Sequence, residues 1–186
     1  MSDRYIDFVN SPFGQLVAKN LGLPSPTPLD RFDANAPVVK GTVLLGAANG
    51  GDLTDAIAKV LSNISAETLV LADGGVEKAA ASAGLSVQTY APSADDKQKF
   101  KALVFDASGI KTSAELKALH SFFSPVIRKM ASSGRIIVIG RTPELLDDAK
   151  YTTAQRALEG FTRAIGKEVK KGCTAQLVYV APGADA

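Results

Sequence analysis

The chain has 186 residues, 46% of them hydrophobic, enough for one well-buried domain and too few for two ordinary ones. Its 21 basic and 19 acidic residues leave a net charge of +2 and are scattered along the sequence, which gives no basis for a nucleic-acid or membrane surface. The single cysteine, Cys173, excludes an internal disulfide, and neither it nor the single histidine, His120, has companions for a metal site. No leading apolar stretch resembles a signal peptide or a membrane span, so a cytoplasmic protein is expected.

Residues 1–37 read as an arm. Tyr5, Phe8 and Val9 fall on one face of a short helix; Ser11-Pro12 is an N-cap followed by proline at the first helical position, and a second helix runs through Leu16 and Val17 to Gly22 as its stop. Pro24, Pro26, Pro28 and Pro37 then make an extended connector that cannot pair as a central strand. The aromatic residues of the arm predict packing on its own domain or on a partner.

Residues 38–186 form the predicted domain. Apolar runs alternate with helical patterns: strand 42–46, helix 52–62, strand 68–72, helix 75–83, strands 86–90 and 102–106, helix 112–132 and strand 135–140. Pro125 is expected to kink helix 112–132. A long helix over 150–171 places Ala154, Ala157, Leu158, Phe161, Ile165 and Val169 at three-and-four spacing, with Lys167, Lys170 and Lys171 at its negative end and Gly172 as its stop. Strand 175–180 follows. This alternation predicts an α/β fold with a doubly wound parallel sheet, Rossmann-like in order 3-2-1-4-5-6, with a flavodoxin-like order as the alternative.

The turn after the first strand is the place to test for nucleotide binding. Gly46-Ala-Ala-Asn49-Gly50-Gly51-Asp52 has glycines at its first and fifth positions, but Asp52 stands where a backbone approaching a pyrophosphate needs a third. As an N-cap, with Asp55 three residues on, Asp52 would satisfy the helix amides itself. A carboxylate within about 4 Å of a phosphate charge would cost about 4 kcal/mol at an effective dielectric of 20.

This turn, together with Tyr151-Thr-Thr-Ala-Gln155 opening the long helix, resembles the short-chain dehydrogenase/reductase family. There a Tyr and a Lys four residues apart face the cofactor, and a Ser ends the preceding strand. Here Tyr151 is retained, Gln155 stands at the Lys position, and Gly140 or Arg141 stands at the Ser position. Without the ammonium, Tyr151 is expected to titrate near its ordinary value of about 10. The resemblance implies that Gly46, Asn49, Gly50, Asp73 and Asp106 occupy cofactor-binding positions, with Asp73 at the acidic ribose position or simply a turn, and Asp106 replacing Asn in the segment after the fourth strand.

With Asn10-Ser11-Pro12-Phe13-Gly14 and Leu21-Gly22-Leu23-Pro24, the chain looks like the N-terminal domain of the high-molecular-weight 3-oxoacyl-[acyl-carrier-protein] reductases. That implies a non-catalytic partner to a C-terminal reductase domain that uses NAD(P), and a homodimer through helices 112–132 and 150–171, where Thr153, Ala157, Gly160 and Ala164 permit close approach. The sequence ends where that family continues into its substrate-covering segment and last strand. No tightly bound cofactor is expected of this chain. The competing readings are a carbonyl reductase working through Tyr151 and a flavin-binding module of flavodoxin type.

Overall fold

Two helices open the chain, α1 (Arg4–Asn10) and α2 (Pro12–Leu21). Ser11 Oγ accepts the Gly14 amide at 3.0 Å, Pro12 sits in the first turn, and Gly22 closes α2 in the left-handed region at φ 64°, as the sequence predicts. In this computed structural model, which describes residues 4–24, 26–71, 75–93 and 96–184, the contacts divide the chain into units Met1–Phe32 and Asp33–Ala186.

The second unit builds one parallel sheet from β1 (Val43–Ala47), β2 (Thr68–Leu71), β3 (Val87–Tyr90), β4 (Phe100–Asp106), β5 (Met130–Arg141) and β6 (Thr174–Val180). Its order, β3-β2-β1-β4-β5-β6, is the Rossmann-like one, and the flavodoxin-like alternative falls away. The period of two along each strand sorts the core into two layers. Val43 and Leu45 of β1 and Val104 of β4 pack with Ile57, Ala58 and Leu61 of α3 (Thr54–Asn63) and Ala80 of α4 (Glu77–Ser82). On the opposite face Leu44, Leu103, Phe105 and Val138 meet Leu119 and Phe122 of α5 (Lys117–Phe123) and Leu158 of α6 (Ala149–Glu168). Complete burial of each large side chain stabilises by about 1.5–3 kcal/mol, so both layers are needed to hold β1 and β4 at the centre.

The helix predicted over 112–132 is not continuous. A 3-10 turn, Ser113–Leu116, leads into α5, which ends at Phe123; Pro125 stops the helix instead of kinking it, because it offers no amide and crowds the preceding turn. The chain then passes through buried Val126 and the short turn Ile127–Lys129 into β5, which starts five residues earlier than its apolar run indicates. Those early residues pair irregularly: Phe100 stands opposite Met130 but Ala102 opposite Arg135, with Ser133 at φ 52° in between. Helix α6 ends at Glu168, so Lys170 and Lys171 lie beyond it, and Gly172, left-handed as expected at φ 69°, belongs to the following turn.

Candidate functional site

The carboxyl ends of β1, β4 and β5 lie side by side, and the groups picked out from the sequence converge there, Asp73 excepted, which lies outside the described residues. Asp106 ends β4 fully buried. Its Oδ2 accepts from the Leu53 amide at 3.1 Å and the Thr54 hydroxyl at 2.7 Å; its Oδ1 accepts from the Ser108 amide at 2.9 Å and the Ser108 hydroxyl at 2.6 Å. Four donors thus saturate one carboxylate, as burial of a charge requires.

Asp106, and not Asp52, serves the start of α3. The residue preceding α3 is Leu53, which has no capping side chain. The cap expected of Asp52 is therefore corrected: its carboxylate turns instead to Arg141 at the end of β5, with Nη2 to Oδ2 at 3.0 Å and Nε to Oδ1 at 3.2 Å, a two-pronged ion pair. Burial raises the Asp52 carboxyl, but the Arg141 and Ser108 hydrogen bonds outweigh it and hold the group below its ordinary value of 3.8. The Asp52 amide also donates to Ser108 Oγ at 2.8 Å, so Ser108 links β1's turn to Asp106.

Gly46 and Gly51 of the turn meet protein. A Cβ on Gly46 would lie 2.3 Å from the Phe122 ring, so Gly46 is there to seat that ring against the sheet. A Cβ on Gly109 would lie 2.3 Å from the Asn49 carbonyl oxygen and 2.6 Å from the Gly51 nitrogen: the segment after β4 packs down onto the 49–51 turn. Asn49 and Gly50 remain exposed at the tip, with Gly50 left-handed at φ 72°.

Gln155 is wholly buried. Its Nε2 donates to the carbonyls of Ala107 at 2.8 Å and Ile110 at 2.9 Å, and its Oε1 accepts from the Arg141 amide at 2.8 Å. One amide therefore ties α6 to the ends of β4 and β5, with both donors and its acceptor in use. A carboxamide suits this position and an ammonium does not, since an ammonium has no acceptor for the Arg141 amide. The neighbouring Gly140 follows from the same packing. A Cβ there would lie 2.5 Å from Gln155 Oε1 and 2.7 Å from Leu158 Cδ1, so a serine at 140 requires both side chains to shift.

Tyr151 lies one turn before Gln155, half-buried, and its hydroxyl donates to the Ser108 carbonyl at 2.6 Å. Lys111 Nζ stands 5.8 Å from its ring centroid. The expectation of an ordinary pKa is corrected: burial, then Asp52, with Arg141 opposing and Asp106 adding, pushes the hydroxyl above its usual value of 10. Tyr151→Phe is accordingly expected to cost about 1 kcal/mol in denaturant unfolding, the net value of one hydrogen bond. A loss above about 3 kcal/mol would show that the hydroxyl holds more of the site than the Ser108 contact.

Sequence reasoning missed the roles of Ser108 and Arg141. Their signal was topological: in order 3-2-1-4-5-6, β1 and β5 flank β4, so an acid in β1's turn and an arginine ending β5 meet over β4's last residues. Among the described residues no cluster of His, Cys, Asp or Glu is arranged to hold a metal, and no helix is long and apolar enough to cross a membrane.

No protein-family model and no curated protein matches the chain. Solved structures do. A dehydrogenase/reductase from Sinorhizobium meliloti matches at TM-score 0.56 and 20% identity, over 76% of this chain and 72% of its own. BdcA, solved in complex with NADPH, matches at 0.56 and 19%, over 77% and 71%. A short-chain dehydrogenase/reductase of the glucose/ribitol dehydrogenase type from Brucella melitensis matches at 0.51 and 20%, over 78% and 77%. At these identities the likeness shows a class of fold, the Rossmann-like α/β fold that these dehydrogenase/reductases share.

Proposed function

We propose that this chain is a non-catalytic domain of the short-chain reductase fold, serving folding, assembly or substrate delivery beside an NAD(P)-dependent 3-oxoacyl-[acyl-carrier-protein] reductase domain. The observation that carries the reading is Gln155. At the position where the resembling family places its lysine, this side chain is closed from solvent, with both its donors given to Ala107 and Ile110 and its oxygen accepting from Arg141. It has no donor left for a ribose and no exposed surface to meet one.

The rest of the site supports the same reading. A pyrophosphate does not fit the turn as it stands: Asp106 takes the Leu53 amide and the Thr54 hydroxyl at the start of α3, Gly109 packs on Asn49 and Gly51, and the Asp52–Arg141 ion pair stands beside them. Reduction of a carbonyl further needs a proton donor aimed at substrate, whereas the Tyr151 hydroxyl is raised in pKa and donates inward to Ser108. What the cluster does well is join three strand ends and two helices, which is structural work.

The direct test is binding. Titration with NADPH or NADH, followed by fluorescence or calorimetry, is expected to show no saturation in the micromolar range. Saturation below about 10 μM, close to −7 kcal/mol, would overturn the reading, because the internal hydrogen bonds would then have to yield to the cofactor.

A further inference from the structure

We propose that the outer edge of β6 is a self-recognition surface: two copies of this chain pair β6 with β6 antiparallel, about a two-fold axis through Leu177, and join their sheets into one. Among the described strands β6 is bonded to β5 alone, at the end of the order β3-β2-β1-β4-β5-β6. The Thr142 amide donates to the Val180 carbonyl at 3.4 Å, so Val180 turns its backbone groups toward β5. Backbone direction alternates along a strand, so Thr174, Gln176 and Val178 face β5 as well, while Ala175, Leu177 and Tyr179 turn theirs outward. Among the described residues no hydrogen bond meets the outward amides and carbonyls of these three.

Sheet proteins blunt such an edge with charge, proline, a bulge or a very short strand. The opposite edge, β3, has only four residues. β6 has seven, Thr174-Ala-Gln-Leu-Val-Tyr-Val180, with no charge and no proline, and it keeps one register with β5 from Arg135↔Thr174 to Arg141↔Val180. The turn that follows does not bring the chain back along it. The Ala184 amide donates to the Ala181 carbonyl at 3.1 Å around Pro182 and Gly183, with Gly183 at φ 80°. That is the pattern of a type II turn, whose twist splays two strands instead of pairing them.

Symmetry commits the edge to a second copy. In an antiparallel pair, facing residues exchange both backbone bonds or neither. Set about Leu177, the outward residues face one another: Ala175 opposite Tyr179, Tyr179 opposite Ala175, and Leu177, the residue on the axis, opposite itself. Every outward amide and carbonyl is then met, and a small side chain faces a large one on either side of the axis. These side chains lie on the α6 side of the sheet, where Tyr179 Oη donates to the Gln155 carbonyl at 2.9 Å. On the other side Gln176 faces Val178, both exposed in the single chain, so no like charges meet along the contact. Another extended segment could meet the backbone groups; a second copy also matches the side chains and closes the assembly by its two-fold axis. The pairing does not depend on whether the domain is catalytic, so its test is separate from the NADPH titration.

The resemblance drawn from the sequence points to the helices as a subunit contact, and the test separates the two faces. Sedimentation of the full chain is expected to show a reversible dimer with Kd of about 100 μM or tighter. Hydrogen exchange at the amides of Ala175, Leu177 and Tyr179 is expected to slow as concentration rises. Q176K/V178K and Q176E/V178E each set like charges opposite one another at both exposed pairs. Each alone is expected to weaken dimerisation at least tenfold with unchanged circular dichroism, and an equimolar mixture to restore it to within about threefold, because lysine then faces glutamate. Ala164→Arg, on an exposed position of α6, is expected to leave dimerisation unchanged. A monomer at about 1 mM, exchange at the three amides that is independent of concentration, or a mixture no stronger than its components would each overturn the proposal. So would a dimer that Ala164→Arg dissociates and Q176K/V178K does not, since the copies would then meet through the helices.

Discussion

Asp106→Ala is expected to be the most damaging single substitution in the domain, lowering stability by about 3–5 kcal/mol. The carboxylate is fully buried and accepts from Leu53 N, Thr54 Oγ1, Ser108 N and Ser108 Oγ. Removing it strands two backbone amides, each costing about 1–3 kcal/mol when buried without a partner; the two hydroxyls can turn toward other acceptors and add less. Against a total stability of about 5–15 kcal/mol this is enough to unfold a sizeable fraction of molecules on mild heating. Asp106→Asn is the sharper comparison, because it restores the residue type that the resembling family carries there. With donors approaching both oxygens, an amide NH₂ must face at least one of them, so a loss of about 2 kcal/mol is expected even though shape is retained. Urea unfolding of both variants decides it. A change below 1 kcal/mol for alanine would mean that water reaches the start of α3 and replaces the carboxylate.

Asp106 also shows which parts of the molecule were legible in advance and which were not. The sheet order was readable because each strand is a short apolar run and each crossover carries a helical repeat, so the pattern itself dictates a doubly wound sheet. The caps of α2 were readable for a local reason: Ser11, Pro12 and Gly22 act on backbone groups within a few residues of themselves. Asp52 misled because a capping assignment from spacing sees only neighbours in the chain. The carboxylate that in fact accepts from Leu53 and Thr54 is more than fifty residues away, and Asp52 is claimed by Arg141 across β4. The sequence pattern extends helix 112–132 too far because Val126, Ile127 and Met130 continue a helical apolar rhythm. In the fold these residues are carried by a turn and the start of a strand, and Pro125 decides between the two.

Gln155→Lys tests the site most severely, because sequence and structure read it differently. From spacing alone the substitution returns an ammonium one helical turn from Tyr151 and so restores a missing charge. In the fold it places that ammonium in a position with no solvent exposure, where the Ala107 and Ile110 carbonyls are its acceptors and, among the described residues, no carboxylate is hydrogen-bonded to residue 155. The Arg141 amide meanwhile loses its hydrogen bond to Gln155 Oε1. A loss of about 3–4 kcal/mol is expected, from an unpaired buried charge together with the lost Arg141–Gln155 hydrogen bond. Catalysis is not expected to appear. Gly140 still offers no hydroxyl, a Cβ there would press on Leu158 Cδ1, and Asp106 still holds the Leu53 amide and the Thr54 hydroxyl. NADPH consumption with acetoacetyl-CoA should therefore be absent from the unaltered chain and from Gln155→Lys, with Tyr151→Phe as the control preparation. Turnover by the unaltered chain but not by Tyr151→Phe would make Tyr151 a working acid and end the non-catalytic reading; equal turnover by both would point to a contaminating reductase. Turnover confined to Gln155→Lys, in protein that unfolds at an unchanged urea concentration, would mean that the buried amide, and not the filled phosphate turn, is what keeps this fold from reducing a carbonyl.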